Sequence, residues 1–326
     1  MDIAFFRTKP YDRLWFEPLS AEYDCNIRFI ESGISEDTVI LANGCNAVCI
    51  FVNDYITEKI ASKLAQLGIR LILLRCAGFN NIDLNAVKKY NLTVLRVPSY
   101  SPAAVAEFSM ASILTVNRQT HRAYARTRDF NMSINGLMGS DLTGKTAGVI
   151  GTGRIGQCMI DIFNGFHMKV LAYDLYPNEN LDAVYVGLDE LFEKSDVISL
   201  HCPLTKETHH IINKDSIDKM KPGVIISNTS RGSLIDSQAL VDALKSGKIG
   251  AVALDVYEEE NGVFYEDVSN EIVQDDTLSR LCTLPNVLIT SHMGFFTKEA
   301  MQAIAIVTLE NARAFRNGEK LINAVQ

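Results

Sequence analysis

A glycine-rich stretch in the middle of the chain, "AGVIGTGRIGQ", constrains the fold more than any other part of the sequence. Gly151, Gly153 and Gly156 have the G-x-G-x-x-G spacing, and they lie between an apolar run typical of a buried strand and a segment with helical periodicity. A second apolar run, "KVLAYD", ends in Asp174, 18 residues after Gly156. The order strand, glycine-rich turn, helix, strand and acid predicts a mononucleotide-binding βαβ unit.

The three glycines have different tasks in such a unit. Gly151 makes the tight turn, Gly153 leaves room for a pyrophosphate to approach the backbone, and Gly156 lets the helix pack closely on the strand. Arg154 and Ile155 begin the helix, whose free N–H groups bind the anion. The alternative is a glycine-rich turn that binds nothing.

Asp174 indicates which dinucleotide the unit binds. A carboxylate at this place accepts hydrogen bonds from a ribose diol and repels a 2′-phosphate, and no arginine follows directly to receive that phosphate. The sequence therefore favours NAD over NADP.

The remaining composition excludes several classes of protein. The net charge of -8 and the scattered basic residues argue against a nucleic-acid partner. No apolar run approaches the roughly 18 residues that span a membrane, and the N-terminus has no signal-peptide pattern. Cys45 and Cys49 lack a second pair at zinc-like spacing, so we expect no metal site. Seven cysteines, mostly in apolar stretches, fit reduced thiols in the cytoplasm.

The 326 residues are enough for about two domains. The first hundred residues alternate short apolar runs with helical segments, which predicts a parallel sheet of its own. A long helix is expected from Pro102, with Ser101 as its N-cap, to about Arg126. The glycine-rich region then begins a second alternating region, and a last helix ends near Gly318.

Polar side chains follow three apolar runs in the second region. Arg231 comes just after "GVIISN", Asp255 and the acids 258–260 follow "GAVAL", and His292 follows "NVLITS". Ligands of open parallel sheets bind outside the carboxyl ends of the strands, so we expect these side chains to converge. A guanidinium, a histidine and a carboxylate suit hydride transfer on a 2-oxo or 2-hydroxy acid. The residue pattern alone does not choose among the three glutamates, for which a solvated acidic loop is the alternative.

Taken together, these motifs resemble those of the D-2-hydroxyacid dehydrogenase family, and within it those of the bacterial D-lactate dehydrogenases most closely. The resemblance covers essentially the whole chain and rests on a series of motifs in the family's order: "RCAGFNNID", "RVPSYSP", "GVIGTGRIGQ", "SLHCPLT", "NTSRGSLID", "ALDVYEEE" and the final histidine. It implies an NAD-dependent D-lactate dehydrogenase that reduces pyruvate reversibly.

The resemblance also implies a role for each matching residue. His292 would be the general acid, Glu260 would pair with it, and Arg231 would bind the substrate carboxylate. The expected substrate-binding residues are Ala77, Gly78, Tyr100 and Phe295. The expected cofactor-binding residues are the glycine-rich turn with Asp174, and also His201, Cys202, Pro203, Thr229 and Asp255.

The same resemblance predicts two Rossmann-like α/β domains, one flavodoxin-like and one NAD-binding, with an active-site cleft between them. The substrate domain would comprise residues 1–101 and 298–326, and the NAD-binding domain residues 102–297. The helix after Pro102 is similar to the family's dimer element, so we expect a homodimer or a dimer of dimers.

The sequence departs from many relatives directly after His292, where Met293 and Gly294 replace Gln or Thr followed by Ala. The missing methyl group suggests a larger substrate pocket, which leaves open a dehydrogenase for a bulkier 2-oxo acid, such as phenylpyruvate or a branched-chain analogue. A binding protein that senses NAD on the same fold is the third possibility, since fold alone does not determine function.

Overall fold

The computed structural model describes residues 1–260 and 262–325. The chain divides into two compact units, Met1–Ser101 with Phe296–Gln326, and Pro102–Phe295. The sequence interpretation placed the second boundary two residues later, between residues 297 and 298.

The described residues form strands and helices in the following order. The strands are β1 (Asp2–Phe5), β2 (Asn26–Phe29), β3 (Ala47–Ile50), β4 (Leu71–Leu74), β5 (Thr93–Arg96), β6 (Thr146–Ile150), β7 (Lys169–Tyr173), β8 (Val184–Tyr185), β9 (Val197–Leu200), β10 (Val224–Asn228), β11 (Ile249–Leu254) and β12 (Val287–Ile289). The α-helices are α1 (Pro10–Ser20), α2 (Glu58–Gln66), α3 (Leu84–Lys89), α4 (Pro102–Arg118), α5 (Thr120–Arg128), α6 (Arg154–Gly165), α7 (Leu188–Lys194), α8 (Lys214–Lys219), α9 (Ser237–Ser246), α10 (Asp276–Thr283) and α11 (Lys298–Asn317). Two short 3₁₀ helices are Val39–Ala42 and Gly232–Leu234.

The first unit is built on a parallel sheet with the strand order β2-β1-β3-β4-β5 in the described residues. This is the flavodoxin-like order. Its central strands β3 and β4 are buried along their whole length, as expected for a sheet with helices on both faces. The last helix, α11, begins at the N-cap Thr297 and ends at Gly318, whose φ of 68° suits a glycine C-cap.

The second unit contains a longer parallel sheet with the order β12-β11-β10-β9-β6-β7-β8 in the described residues. The chain order reverses between β6 and β9, as in dinucleotide-binding sheets. The prediction of two parallel-sheet α/β domains is confirmed.

The long helix predicted from Pro102 to about Arg126 is wrong in one respect. It breaks at Gln119, whose φ of 50° is left-handed and separates α4 from α5. The break is held from the side, because the amide of Asn117 donates to Ser140 O at 2.7 Å and accepts from Ser140 N at 3.1 Å. These bonds tie the end of α4 to the segment before β6.

Among the helices of the described residues, none combines the length and apolar character needed to cross a bilayer.

Candidate active site

The carboxyl ends of six strands in the second unit lie in one row. Their register pairs Tyr173 with Ile150, Ile150 with Leu200, Leu200 with Asn228, Asn228 with Leu254, and Leu254 with Ile289. The residues that follow directly are Asp174, Gly151, His201, Thr229, Asp255 and Thr290. Five of these six were predicted from the sequence to bind the cofactor, and the structure brings them to one edge of the sheet.

The glycine-rich turn has little space for side chains at its ends and open space in its middle. Gly151 has a φ of 94°, and a Cβ there would lie 2.5 Å from Cys202 N. A Cβ on Gly156 would collide with the carbonyl oxygen of Gly151. A Cβ on Gly153 would meet no described atom within 4 Å. The open side of Gly153, the N-cap of α6, is therefore where a phosphate can reach the helix N-terminus.

The next two positions of this turn, Arg154 and Ile155, begin α6. Arg154 is exposed, whereas Ile155 is partly buried and packs against the core between α4 and α6. Both residues therefore contribute to the predicted phosphate site only through their backbone N–H groups.

Asp174 is held in place by the turn that it faces. Its Oδ2 accepts from Thr152 N at 2.6 Å and from Thr152 Oγ1 at 3.1 Å, while Oδ1 accepts from Tyr176 N at 2.9 Å. The Tyr185 hydroxyl in turn donates to Thr152 Oγ1 at 2.9 Å. The carboxylate is half-buried, so its remaining lone pairs are available to a ribose diol.

His201 ends a buried chain of serine hydroxyl groups. Its Nε2 lies 2.8 Å from Ser199 Oγ, Ser199 Oγ lies 3.2 Å from Ser109 Oγ, and Ser109 Oγ lies 2.9 Å from Ser227 Oγ. All three serines are fully buried. Burial lowers the pKa of His201 to about 4, so the ring is neutral at physiological pH.

The chain of hydroxyl groups determines which nitrogen of His201 carries the proton. If Nε2–H donated to Ser199, the hydroxyl proton of Ser227 would have no acceptor among the described residues, and a buried unsatisfied donor costs about 1–3 kcal/mol. In the opposite direction every hydroxyl proton is satisfied, Nε2 accepts, and Nδ1 carries the hydrogen. The neutral His201 ring then has Nδ1–H as its one donor.

Three other predicted cofactor residues differ in what they offer. Thr229 has a buried Oγ1 without a hydrogen-bond partner in the described part of the chain, which is a position that a ligand group can satisfy. Pro203 is exposed, and its carbonyl accepts from Thr208 Oγ1 at 2.7 Å. The Cys202 thiol lies in the core, and burial raises its pKa to about 11. Cys202 therefore contributes its backbone, not its thiol, to this edge.

Asp255 anchors the turn that carries His292. Its Oδ1 accepts from Thr290 Oγ1 at 2.6 Å and from Met293 N at 2.9 Å, and its Oδ2 accepts from Gly294 N at 2.7 Å. Burial raises the pKa of Asp255, while these three hydrogen bonds and the nearby His292 act in the opposite direction. Both oxygens are thus directed into the 290–294 turn, and Asp255 positions His292.

The turn holds His292 in a left-handed conformation, with a φ of 53°. Such a conformation is uncommon for residues other than glycine and often occurs at functional sites. The His292 carbonyl accepts from the Tyr265 hydroxyl at 2.8 Å, and the two rings stack with centroids 6.0 Å apart. The ring is thereby fixed from the backbone and from one face.

Glu260 is the glutamate that pairs with His292. Its Oε1 lies 3.2 Å from Nδ1, and both side chains are largely buried, with 16% and 17% exposed. Because a carboxylate only accepts, Nδ1 carries the hydrogen and Nε2 is left to exchange a proton with a ligand. Of the other two acids, Glu259 is exposed and Glu258 pairs with His210 at 2.6 Å.

Arg231 is half-buried and has no carboxylate partner in the described residues. Its Nη1 donates to Ser230 O at 2.7 Å, and the amide of Asn228 fixes its loop by donating to Arg231 O at 2.8 Å. The next residue, Gly232, packs so closely that a Cβ would collide with the Tyr257 carbonyl. The remaining guanidinium donors are therefore available for a ligand carboxylate.

The interpretation of Gly294 as a sign of a larger substrate pocket is wrong. A Cβ at this position would lie 3.0 Å from Asp255 Oδ2 and 3.4 Å from Phe108 Cδ1. The missing methyl group thus points at the anchoring carboxylate and at a ring of α4. Glycine makes room for Phe108 inside the unit and does not enlarge a space for substrate.

The predicted substrate residues of the first unit lie in loops after β4 and β5. Ala77 and Gly78 are half-buried, and Arg96 Nη1 donates to Ala77 O at 2.8 Å. Tyr100 is also half-buried. Of the two aromatic residues after Gly294, Phe295 is buried. Phe296 is exposed and packs edge-on against Tyr11, with ring centroids 4.9 Å apart.

Sequence reasoning missed several residues that build the site. Asn228, Thr290 and Tyr265 hold Arg231, Asp255 and His292, respectively. Asn228 and Thr290 stand at the strand ends, which was a usable signal. Tyr265 lies in an irregular segment, where the sequence pattern offers no such signal.

Comparisons with known proteins agree over the length of the chain. Residues 110–294 match the family model described as "D-isomer specific 2-hydroxyacid dehydrogenase, NAD binding domain". The chain is 51% identical to a 2-hydroxyacid dehydrogenase homolog of Haemophilus influenzae, over 100% of this chain and 99% of that protein. It is 48% identical to the D-lactate dehydrogenase of Escherichia coli, over 99% of both chains. The apo-structure of D-lactate dehydrogenase from Escherichia coli is similar, with a TM-score of 0.91, 47% identity and 100% of both chains covered.

Proposed function

The chain belongs to the D-isomer specific 2-hydroxyacid dehydrogenase family, and on this premise we propose that it is an NAD-dependent D-lactate dehydrogenase. The reaction transfers a hydride reversibly between NADH and pyruvate and gives D-lactate. Membership of the family confirms NAD as the cofactor and a 2-hydroxy acid as the class of substrate.

Several features of the second unit fit NAD. The open side of Gly153 at the start of α6 would hold the pyrophosphate, and Asp174 would accept hydrogen bonds from the ribose diol. Thr229, whose hydroxyl has no partner in the described residues, and His201 follow neighbouring strands in the same row. The bound cofactor supplies the hydride, and the protein supplies orientation and proton transfer.

The pair of His292 and Glu260 carries the proposal. In the direction of reduction, His292 Nε2–H gives its proton to the carbonyl oxygen of pyruvate as the carbonyl carbon accepts the hydride. Glu260 accepts from Nδ1–H and stabilises the doubly protonated ring before transfer. In oxidation the same nitrogen takes the hydroxyl proton of lactate.

Arg231 orients the substrate for this transfer. Its free donors bind the carboxylate of pyruvate in a bidentate manner, which fixes the direction of the adjacent carbonyl group. We assign the loop at Ala77 and Gly78, with Tyr100, to the same substrate. These assignments make residues 1–101 and 298–326 the substrate domain and residues 102–297 the NAD-binding domain.

We also propose that the chain forms homodimers, alone or paired into tetramers. The segment after α5 exposes large apolar side chains, among them Phe130 at 88% and Met138 at 92%. Large exposed apolar side chains close together in sequence are typical of a contact surface. Light scattering coupled to size-exclusion chromatography tests the proposal, and a monomer at micromolar concentration would contradict it. The seven cysteines are unpaired, which supports a cytoplasmic location.

The experiment that tests the function is steady-state oxidation of NADH by the purified protein with pyruvate, 2-oxobutyrate, 2-oxoisocaproate, phenylpyruvate and glyoxylate, and with NADPH in parallel. We expect the highest kcat/KM with pyruvate and NADH. A higher value with phenylpyruvate or 2-oxoisocaproate would establish the bulkier 2-oxo acid as substrate. No turnover with any of the five would revive the NAD-sensing alternative.

A further inference from the structure

Two adjacent histidines and a glutamate form a cluster outside the candidate active site. The His–Glu cluster consists of His209, His210 and Glu258, and one ligand atom from each lies within 4.8 Å of the others. The two imidazole rings stack with centroids 3.9 Å apart, and His210 Nε2 lies 2.6 Å from Glu258 Oε1. The sequence does not predict this cluster, because 48 residues separate His210 from Glu258.

The backbone is arranged so that both rings lie on one side. Neighbouring side chains of an extended chain point in opposite directions, but His210 has a left-handed φ of 52°. The conformation is fixed by hydrogen bonds from His209 N to Thr205 O, at 3.0 Å, and from His210 N to Ser233 O, at 2.9 Å. The amide of Asn213 also donates to His210 O at 2.8 Å. The left-handed backbone and these hydrogen bonds together fix the stacked arrangement of the two rings.

The carboxylate of the cluster is oriented as well. Ser237 Oγ donates to Glu258 Oε2 at 3.0 Å, which directs Oε1 towards His210. A hydrogen bond to the outer atom of a ligand is the usual support of a metal-binding side chain. His209 is exposed, whereas His210 and Glu258 are partly exposed at 31% and 22%, so an ion has access from solvent.

We propose that the His–Glu cluster binds one Zn²⁺ ion through two imidazole nitrogens and one carboxylate oxygen. Two imidazoles with one carboxylate suit zinc and disfavour magnesium and calcium, which prefer sites made of oxygen. Water completes the fourth position of a tetrahedral site. The proposal is independent of the dehydrogenase chemistry.

Binding requires a small rearrangement. Bonds of about 2.0–2.1 Å place the ligand atoms of a tetrahedral zinc site about 3.4 Å apart. The ligand atoms, which lie within 4.8 Å of one another, reach this spacing by rotation of the exposed His209 side chain. The 2.6 Å contact of His210 with Glu258 opens as the metal replaces the hydrogen between them.

The test is a titration of the full-length, metal-free protein with zinc sulfate against a chromophoric zinc chelator. We expect one Zn²⁺ per chain, and at least tenfold weaker binding for His209→Gln and for Glu258→Gln. His167→Gln is the matched control, because His167 is also exposed with a left-handed φ of 57° but lies outside the cluster. This variant should bind zinc as the unchanged protein does.

His209→Gln is the decisive variant, because the His209 side chain is exposed and lies outside the hydrophobic core. Unchanged zinc affinity in this variant would overturn the proposal, as would the absence of binding by the unchanged protein. Equal affinity for Mg²⁺ would also overturn it. X-ray absorption of the zinc-loaded protein should show two imidazole ligands, and a signal without imidazole would contradict the ligand set.

Discussion

Replacement of Asp255 by asparagine tests how the fold positions His292. The carboxylate is 3% exposed and accepts hydrogen bonds from Thr290 Oγ1, Met293 N and Gly294 N. In Asp255→Asn, the amide oxygen can keep the first two bonds. The amide nitrogen then faces Gly294 N–H, so two donors point at each other in a buried place.

The magnitude follows from this one mismatch. A buried N–H without an acceptor costs about 1–3 kcal/mol. The substitution also removes a buried charge, and because burial raises the pKa of Asp255, that removal offsets part of the loss. We expect the free energy of unfolding to fall by about 1–2 kcal/mol. Displacement of His292 by about 1 Å should lower kcat by about 10²-fold.

The assay combines urea unfolding with steady-state kinetics on the same preparations. Asp196→Asn is the matched control, because Asp196 accepts from Thr146 N at 2.8 Å at the opposite end of the strands. The control should lose stability without losing kcat. If Asp255→Asn keeps the kcat of the unchanged protein while its stability falls, Asp255 does not position His292 through the turn at residues 290–294.

Four further predictions concern the predicted site residues. His292→Ala should lower kcat by about 10²–10⁴-fold and leave NADH binding, measured by fluorescence, nearly unchanged; unaltered turnover would exclude His292 as the general acid. Arg231→Lys should chiefly raise the KM for pyruvate, because an ammonium group lacks the bidentate fork, and an unchanged KM would place the carboxylate site elsewhere. Asp174→Ala should narrow the ratio of kcat/KM for NADH over NADPH, and a constant ratio would show that another residue binds the ribose. The pKa of His201 is about 4 in the folded protein and 6.5 in the unfolded chain, so the unfolded state binds an extra proton below pH 6.5. The free energy of unfolding, measured with urea, should therefore fall by at most about 2 kcal/mol between pH 7 and pH 5. An equally steep fall in His201→Gln would contradict this.

The sequence predicts the sheets of this protein well, because strand-forming runs and turns are local signals. The strand before Gly151, the helix after Gly153 and the strand before Asp174 all appear where the motif placed them. The break at Gln119 was not predictable in the same way. It depends on the contact of Asn117 with Ser140, which is distant in sequence.

In the candidate site, too, local signals were predictable and contacts between distant residues were not. Strand ends indicated Arg231, Asp255 and His292, but the pattern did not choose Glu260, because the direction of each glutamate depends on the irregular segment after β11. Gly294 was misinterpreted for the same reason. Its missing methyl group faces Phe108, a neighbour that only the folded chain reveals.

The most direct test of the proposed D-lactate dehydrogenase activity is the chirality of the product. The purified protein is incubated with pyruvate and NADH, and the lactate is separated by chiral chromatography while NADH oxidation is followed by absorbance. We expect D-lactate alone, in an amount equal to the NADH consumed. L-lactate, a racemic product or no consumption of NADH would contradict it.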